Sequence, residues 1–403
     1  MKTAAVMGAG IQGVCVALML NKYKYRVLLI DRGNDIMNFT SKTGEGKIHL
    51  GFVYGLDKSL KTAEKLTLDA LHFSNYIEYL VDDKPDWQSL KSIPFHYLVA
   101  HDSMLSDDEI EEYFENIQRI YKDFVSDRQL NYLGSCPDRV FAETSIPARI
   151  KKTSIRKSFR TEEVAIHTSS LKSILKNKLL SEPVTLLLNS EITEIKTVSD
   201  GFQIESTSLK GINKRIKADI VINCLWANKL KFDSMMGLDT DNYCVRLKYG
   251  LFIYWNSNLH NIPSFTVIQG PYGDFVDFSH FNEAYISWYP STMRELKTNG
   301  LIPLEWNPAL NNVHTEAMIQ DLKFQNYRNY KNIIQNFKPF KIKTVRAGII
   351  LAQGSSDISE KDSKLHCRSE SPIKMKDGYY SINTGKYTSA PYNTLLLERM
   401  LIE

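Results

Sequence analysis

A glycine-rich turn between an apolar strand and an apolar helix constrains this chain more than any other stretch. Residues 2–7, KTAAVM, read as a short strand and run into Gly8-Ala9-Gly10-Ile11-Gln12-Gly13. An apolar helix, VCVALMLNK, follows, and a second strand, RVLLI, ends in Asp31-Arg32. Strand, glycine turn, helix, strand and acid is the order that a dinucleotide-binding βαβ unit requires. Gly8 permits the tight turn, Gly10 lets backbone approach a pyrophosphate, and Gly13 lets the helix pack closely on the strand. The helix amino end, at Ile11 and Gln12, offers N–H groups and partial positive charge to phosphate. Asp31 stands where a carboxylate accepts hydrogen bonds from a ribose. A glycine-rich turn in some other α/β fold is the competing reading.

With 403 residues the chain exceeds the usual single core, so two intimately linked domains are expected. A formal charge of +4 is too small for this length to argue for nucleic acid, and no basic stripe with interleaved aromatics occurs. The most basic run, Arg149 to Arg160, reads as a solvated face or a phosphate-proximal loop. Cys15, Cys136, Cys224, Cys244 and Cys367 are scattered with no CxxC, which fits a reducing compartment and no thiolate metal site. The apolar amino-terminal stretch is too interrupted to span a membrane, and no secretory signal is read. A cytoplasmic protein without an integral membrane segment is expected. No HExxH, P-loop, GxSxG or calcium loop is present.

Residues 34–55 carry Gly44, Gly46, Gly51 and Gly55 close behind the turn, with His49 and Tyr54 among them. Such glycine density suits backbone lying against a ring system. Residues 58–82 read as an amphipathic helix, residues 87–100 as a strand pair, and residues 107–124 as a helix capped by Ser106 with Glu109. Residues 137–165 lack strong periodicity. A helix over 169–180 precedes VTLLLN, read as a buried parallel strand. The hairpin EITEIKTV/GFQIES and the buried strand ADIVINCLW come next. Residues 243–290 are rich in β-branched and aromatic residues between Pro, Gly and Asn, which predicts an antiparallel sheet. Residues 291–340 read as mostly helical, residues 341–352 as a returning strand, and the end as strand, glycine loop and terminal helix.

Together these motifs resemble the FAD-dependent oxidoreductases of the D-amino acid oxidase superfamily. The pattern is nearest the glycerol-3-phosphate and L-2-hydroxyglutarate dehydrogenase branch. The glycine motif with Asp31-Arg32 resembles the family's opening. Gly46-Lys47-Ile48-His49-Leu50-Gly51, followed by Tyr54, is similar to the flavin-side loop of the hydroxyacid branch. Phe159-Arg160-Thr161-Glu162-Glu163 resembles the segment before the helix that feeds the middle FAD-binding strand. Ala218 to Ala227, with Cys224, Leu225 and Trp226, resembles the strand and loop beside the pyrophosphate. Gly385-Lys386-Tyr387-Thr388 resembles the final turn facing the flavin pyrimidine ring. The resemblance also puts Ile192 and Gly348 beside the cofactor. There are two departures. Leu225 stands where members often have Gly, so its loop must tolerate a side chain. Ile350 stands where members often have the Arg that grips a substrate carboxylate, with Arg346 displaced by four along the strand.

The resemblance implies a mixed α/β fold: a discontinuous Rossmann-like FAD-binding domain of the glutathione-reductase type, with an antiparallel-sheet substrate domain. Residues 1–85, 138–240 and 341–403 are expected in the first, and residues 86–137 and 241–340 in the second. It implies FAD as cofactor and transfer of hydride from a small polar substrate, a 2-hydroxy acid or other secondary alcohol, to the flavin. His49 is the preferred base, His280 its rival, and Tyr54, Tyr249, Tyr289 and Arg346 candidate orienting groups. An amine or amino-acid oxidase is the first alternative; a low-turnover flavin-binding protein is the second. Oxygen or another electron acceptor is the expected partner, and no metal is expected.

Overall fold

The opening strand, Thr3–Met7, sits inside a six-stranded sheet because its apolar run AAVM is buried on both faces. The computed structural model describes residues 1–128 and 130–402. Strand order across this sheet is Ile373–Lys376, Tyr379–Ile382, Ile220–Asn223, Thr3–Met7, Arg26–Ile30 and Thr185–Leu187. Neighbours are parallel except the first two, which form an antiparallel hairpin. The helix Ile11–Lys22 packs beside Ala390–Ile402 and Lys61–Val81. The other face meets a three-stranded sheet, Ser190–Val198, Gly201–Ser208 and Asn213–Ala218, whose Ile192, Ile195 and Phe202 pack on Ala5, Met7 and Val221.

A second, nine-stranded sheet is organised by the long strand Tyr243–Tyr254, which runs antiparallel to Ile342–Gln353 along one edge. Its other edge meets Met293–Lys297 and Glu283–Trp288. The sheet continues through Gly273–Phe278, Phe265–Ile268, His96–Ala100, Ile155–Thr161 and Phe141–Thr144. Only the pair Phe265–Ile268 with His96–Ala100 is parallel. The helix Glu316–Ile333, capped by the Thr315 hydroxyl, lays Leu322 and Tyr330 against the sheet's apolar face.

Several local expectations are corrected. Residues 87–100 hold one strand, not two: Trp87–Leu90 is a helical turn because the Asp86 carboxylate caps the N–H groups of Gln88 and Ser89. Residues 137–165 contain the strands Phe141–Thr144 and Ile155–Thr161, whose outward positions are polar enough to mask the alternation. Only Thr185–Leu187 of VTLLLN is a strand, and it is a partly exposed edge because no strand among the described residues pairs beyond it. Met293–Lys297 is a strand within the stretch expected to be helical, held by Tyr243–Tyr254. Asn213–Ala218 adds a third strand to the expected hairpin. The strands Phe141–Thr144, Ile155–Thr161 and Ile342–Gln353, from stretches expected with the cofactor sheet, find their hydrogen-bond partners in the nine-stranded sheet.

Candidate functional site

A cavity of about 510 Å³ runs from the glycine turn to the face of the large sheet. Gly8, Gly10, Ile11, Gln12, Asp31 and Arg32 line one region of it, with Ile192, Cys224, Leu225 and Trp226 alongside. Lys47, His49, Tyr54, Tyr249, Tyr289, Gly348, Gly385, Lys386 and Tyr387 line it elsewhere. Residues scattered through the sequence thus share one wall.

The turn is held open by backbone geometry. Gly8 has φ +99°, and a Cβ there would lie 2.7 Å from the Cys224 carbonyl oxygen. Gly13 faces the strand rather than the cavity; a Cβ there would lie 1.7 Å from the Gly8 carbonyl oxygen. The Asp31 carboxylate accepts from the N–H groups of Ala9 and Gly33, each at 2.6 Å, so it fastens the turn while lining the cavity. Burial pushes its pKa up against those two bonds and the Arg32 charge. The Arg32 guanidinium lies 4.7 Å over the Phe39 ring. Ser41, which sequence reasoning missed, accepts from the Ile11 N–H at 3.0 Å. Thr43, also missed, donates to the Ala347 carbonyl at 3.0 Å and ties this loop to the large sheet. Their only sequence signal is a small-hydroxyl cluster, Thr40-Ser41-Lys42-Thr43, after the acid.

Leu225 is accommodated because its φ is −75°. The left-handed position falls on Trp226, φ 55°, whose indole N–H donates to the Ile349 carbonyl at 2.7 Å.

The His49 loop is fixed from beneath. Fully buried Glu163 accepts from the N–H groups of Leu50 and Gly51 and from the Tyr97 hydroxyl. Burial raises the Glu163 pKa, opposed by the Lys47 charge and these bonds. Thr388 does not line the cavity; its hydroxyl accepts from the His49 N–H and donates to the Lys47 carbonyl, each at 3.0 Å. Gly46 and Ile48 also stay out of the cavity. Gly46, φ +76°, abuts the Ile166 carbonyl, and Ile48 donates its N–H to the Val164 carbonyl. The Lys47 ammonium reaches Asp274 at 2.9 Å and Thr266, and lies 4.1 Å over the Phe95 ring.

His49 is buried, and its Nδ1 has no hydrogen-bond partner. Burial, then the Lys386 and Lys47 charges, hold its pKa well below the usual 6.5, so the ring is neutral. Burial raises the Tyr54 pKa, but Lys386 and Arg368 outweigh it and bring the phenol below its ordinary value. The Tyr289 hydroxyl donates to Asp357 at 2.8 Å, and burial followed by that carboxylate's charge pushes its pKa up.

Two catalytic candidates lie elsewhere. His280 sits in the exposed turn Ser279–Phe281, not in a strand, because the chain reverses there between Gly273–Phe278 and Glu283–Trp288. Arg346 donates to the Lys42 carbonyl at 2.8 Å and lies over the Phe252 ring, 4.3 Å from its centroid, so it braces a loop outside the cavity lining.

Arg246, which sequence reasoning missed, does line the cavity. Its Cα pairs directly with that of Ile350 across the antiparallel strands, which places both side chains on one face. Both residues line the cavity. Arg246 is 0% exposed and donates to the Ser356 carbonyl at 2.8 Å, while its Nε has no hydrogen-bond partner. No local motif marks it; cross-strand register alone brings it to the position.

These residues fit FAD. A backbone cradle that a Cβ would fill opens onto the same cavity as a neutral imidazole and several donors. Among the described residues no His, Cys, Asp and Glu cluster could hold a metal ion. No described helix is long and apolar enough to cross a membrane.

A family profile described as FAD dependent oxidoreductase, DAO, matches residues 3–263. No curated sequence matches the chain. Glycine oxidase from Geobacillus kaustophilus superposes with a TM-score of 0.66 at 12% identity, over 100% of this chain and 94% of that one. L-amino acid deaminase from Proteus myxofaciens gives 0.65 at 11% identity, over 100% and 90%. L-alpha-glycerophosphate oxidase from Mycoplasma pneumoniae, with FAD bound, gives 0.64 at 13%, over 100% and 95%. At these identities the superpositions establish a shared fold.

Proposed function

Because this chain belongs to the DAO family of FAD-dependent oxidoreductases, we propose that it oxidises the carbon–nitrogen bond of an amino acid. FAD is its cofactor, and when bound supplies the acceptor for the hydrogen and electron pair that leave the carbon. As that C–H bond breaks, the lone pair of the neutral amine closes to C=N, giving an iminium ion that water can hydrolyse.

Arg246 carries this reading. It offers a buried guanidinium on the same strand-pair face as Ile350, where the family's carboxylate-gripping arginine is expected. His49 supports an amine over an alcohol. A base for a hydroxyl proton works best with a pKa near the operating pH, and this ring is held far below. The cations that lower it, Lys386 and Lys47, equally disfavour an ammonium, so a bound amino group is kept neutral with its lone pair available. Several solved relatives of this fold carry amino-acid titles, among them the glycine oxidase and the amino acid deaminase. A second reading, a 2-hydroxy acid with His49 as base, rests on the place of that imidazole in the cavity lining. In either reading the six-stranded sheet is assigned to the cofactor and the nine-stranded sheet to the substrate.

The test is anaerobic reduction of the bound flavin by panels of amino acids and 2-hydroxy acids, in native protein and in His49→Ala with FAD retained. Bleaching by an amino acid that survives His49→Ala is expected. Bleaching by hydroxy acids alone, lost in His49→Ala, would overturn the amino-acid reading in favour of the second.

A further inference from the structure

We infer that the substrate carries two anionic groups, the second held by Arg368 beside Tyr54 and Lys386. This rests on the reading of Arg246 as the grip for the first. Arg368 lines the same cavity. Like Arg246, it has a buried Nε with no hydrogen-bond partner. Its Nη1 donates to the Cys367 carbonyl at 3.1 Å, and its guanidinium also interacts with the Tyr54 phenol. A buried guanidinium donor left unmet costs free energy that a bound oxyanion recovers.

The two arginines are separate cradles. Arg368 and Lys386 both act on the Tyr54 phenol, and the Lys386 ammonium lies 5.4 Å from the Tyr54 ring centroid. Arg246 lies nearest Asp357, whose Oδ1 is 3.5 Å from Nε and also accepts from Tyr289. Tyr289 feels both guanidinium charges. Lys248 lies 5.8 Å from the Tyr289 ring centroid.

Charge balance points the same way. Lys47 and Asp274 neutralise one another, and Arg246 faces Asp357. Among the described residues lining the cavity, Arg32, Lys231, Lys248, Arg368 and Lys386 have no ion pair, and Asp31, Glu45 and Glu191 are the carboxylates without one; of these cations Arg368 and Lys386 are the two that act on the Tyr54 phenol. An amino acid with a neutral amine and one carboxylate engages Arg246 and leaves Arg368 and Lys386 unmet. An acidic side chain, carboxylate or phosphate, meets them.

Equilibrium binding to the FAD-loaded protein tests this without turnover, using perturbation of the flavin spectrum by unreactive acids. Glutarate, 3-phosphonopropionate and butyrate are the probes. Glutarate or 3-phosphonopropionate is expected to bind about tenfold tighter than butyrate or more, and whichever is tighter identifies the second oxyanion. Arg368→Met should bring that ratio close to one, and Arg368→Lys should restore part of it, with retained flavin reporting an intact fold. Equal affinities for all three acids, or a ratio unchanged in Arg368→Met, would overturn the proposal. If dianions bind tightly while no amino acid bleaches the flavin, the amino-acid reading fails and the two-anion site stands.

Discussion

In the proposed reading Arg246 grips the substrate while His49 stays a neutral ring beside it, and each is shaped by burial. His49 is kept neutral because burial and two nearby ammonium groups penalise its imidazolium. Its folded pKa lies below its unfolded value of 6.5, so the unfolded chain takes up a proton first as the medium is acidified. The stability this neutral ring contributes is complete above that unfolded value and is lost as pH falls below it. Each unit below costs about 1.4 kcal/mol until the folded pKa is reached. Urea unfolding at about pH 7.5 and about pH 5.5 should therefore show the native protein losing roughly 1 kcal/mol more than His49→Gln. Equal losses would mean that the ring takes up a proton as readily folded as unfolded, and the argument against it as an alcohol base would fall. Arg246 matters because its buried Nε has no hydrogen-bond partner, with the nearest carboxylate, Asp357, 3.5 Å away.

At the scale of elements, the glycine turn and the strand pair Tyr243–Tyr254 with Ile342–Gln353 position everything else. Gly13 is inside the helix Ile11–Lys22, where glycine is otherwise unfavourable, and is there because backbone lies where a Cβ would go. Gly13→Ala must push the helix off the strand at an overpacking cost of about 1–3 kcal/mol. Lower thermal stability and a purified protein with little bound FAD are the expected results; native FAD content and melting temperature would contradict this packing role. The opening βαβ unit was legible in sequence because its signals are local: glycines at fixed offsets between uniformly apolar runs. The strand pair was legible as strands, but its register was not. Arg346 looked well placed because four steps along a strand return to one face, yet its guanidinium is spent on the Lys42 carbonyl. Arg246 was hidden because what matters is its pairing with Ile350, a contact between residues far apart in the chain.

Across the whole molecule, one cavity draws its walls from Gly8 near the start to Tyr387 near the end. This explains why the fold class could be read from scattered motifs while the substrate-facing side could not. The cofactor-side motifs answer to a fixed ligand and sit in recognisable turns. The substrate side is built from one face of a sheet and from the segment carrying Asp357 and Arg368, where no local spacing encodes the geometry. His280 shows the same limit: read as a sheet residue, it falls in a turn at the surface. The account stands on Arg246 replacing the arginine that Ile350 displaces, and one measurement addresses it directly. Anaerobic flavin reduction by the preferred amino acid is compared in native protein, Arg246→Met, and Arg246→Met with Ile350→Arg. Losing a charged partner in a buried site predicts a fall of roughly 100-fold or more in the single variant's reduction efficiency. Part of it should return when the guanidinium is supplied from the facing strand. Native efficiency in Arg246→Met would contradict the account.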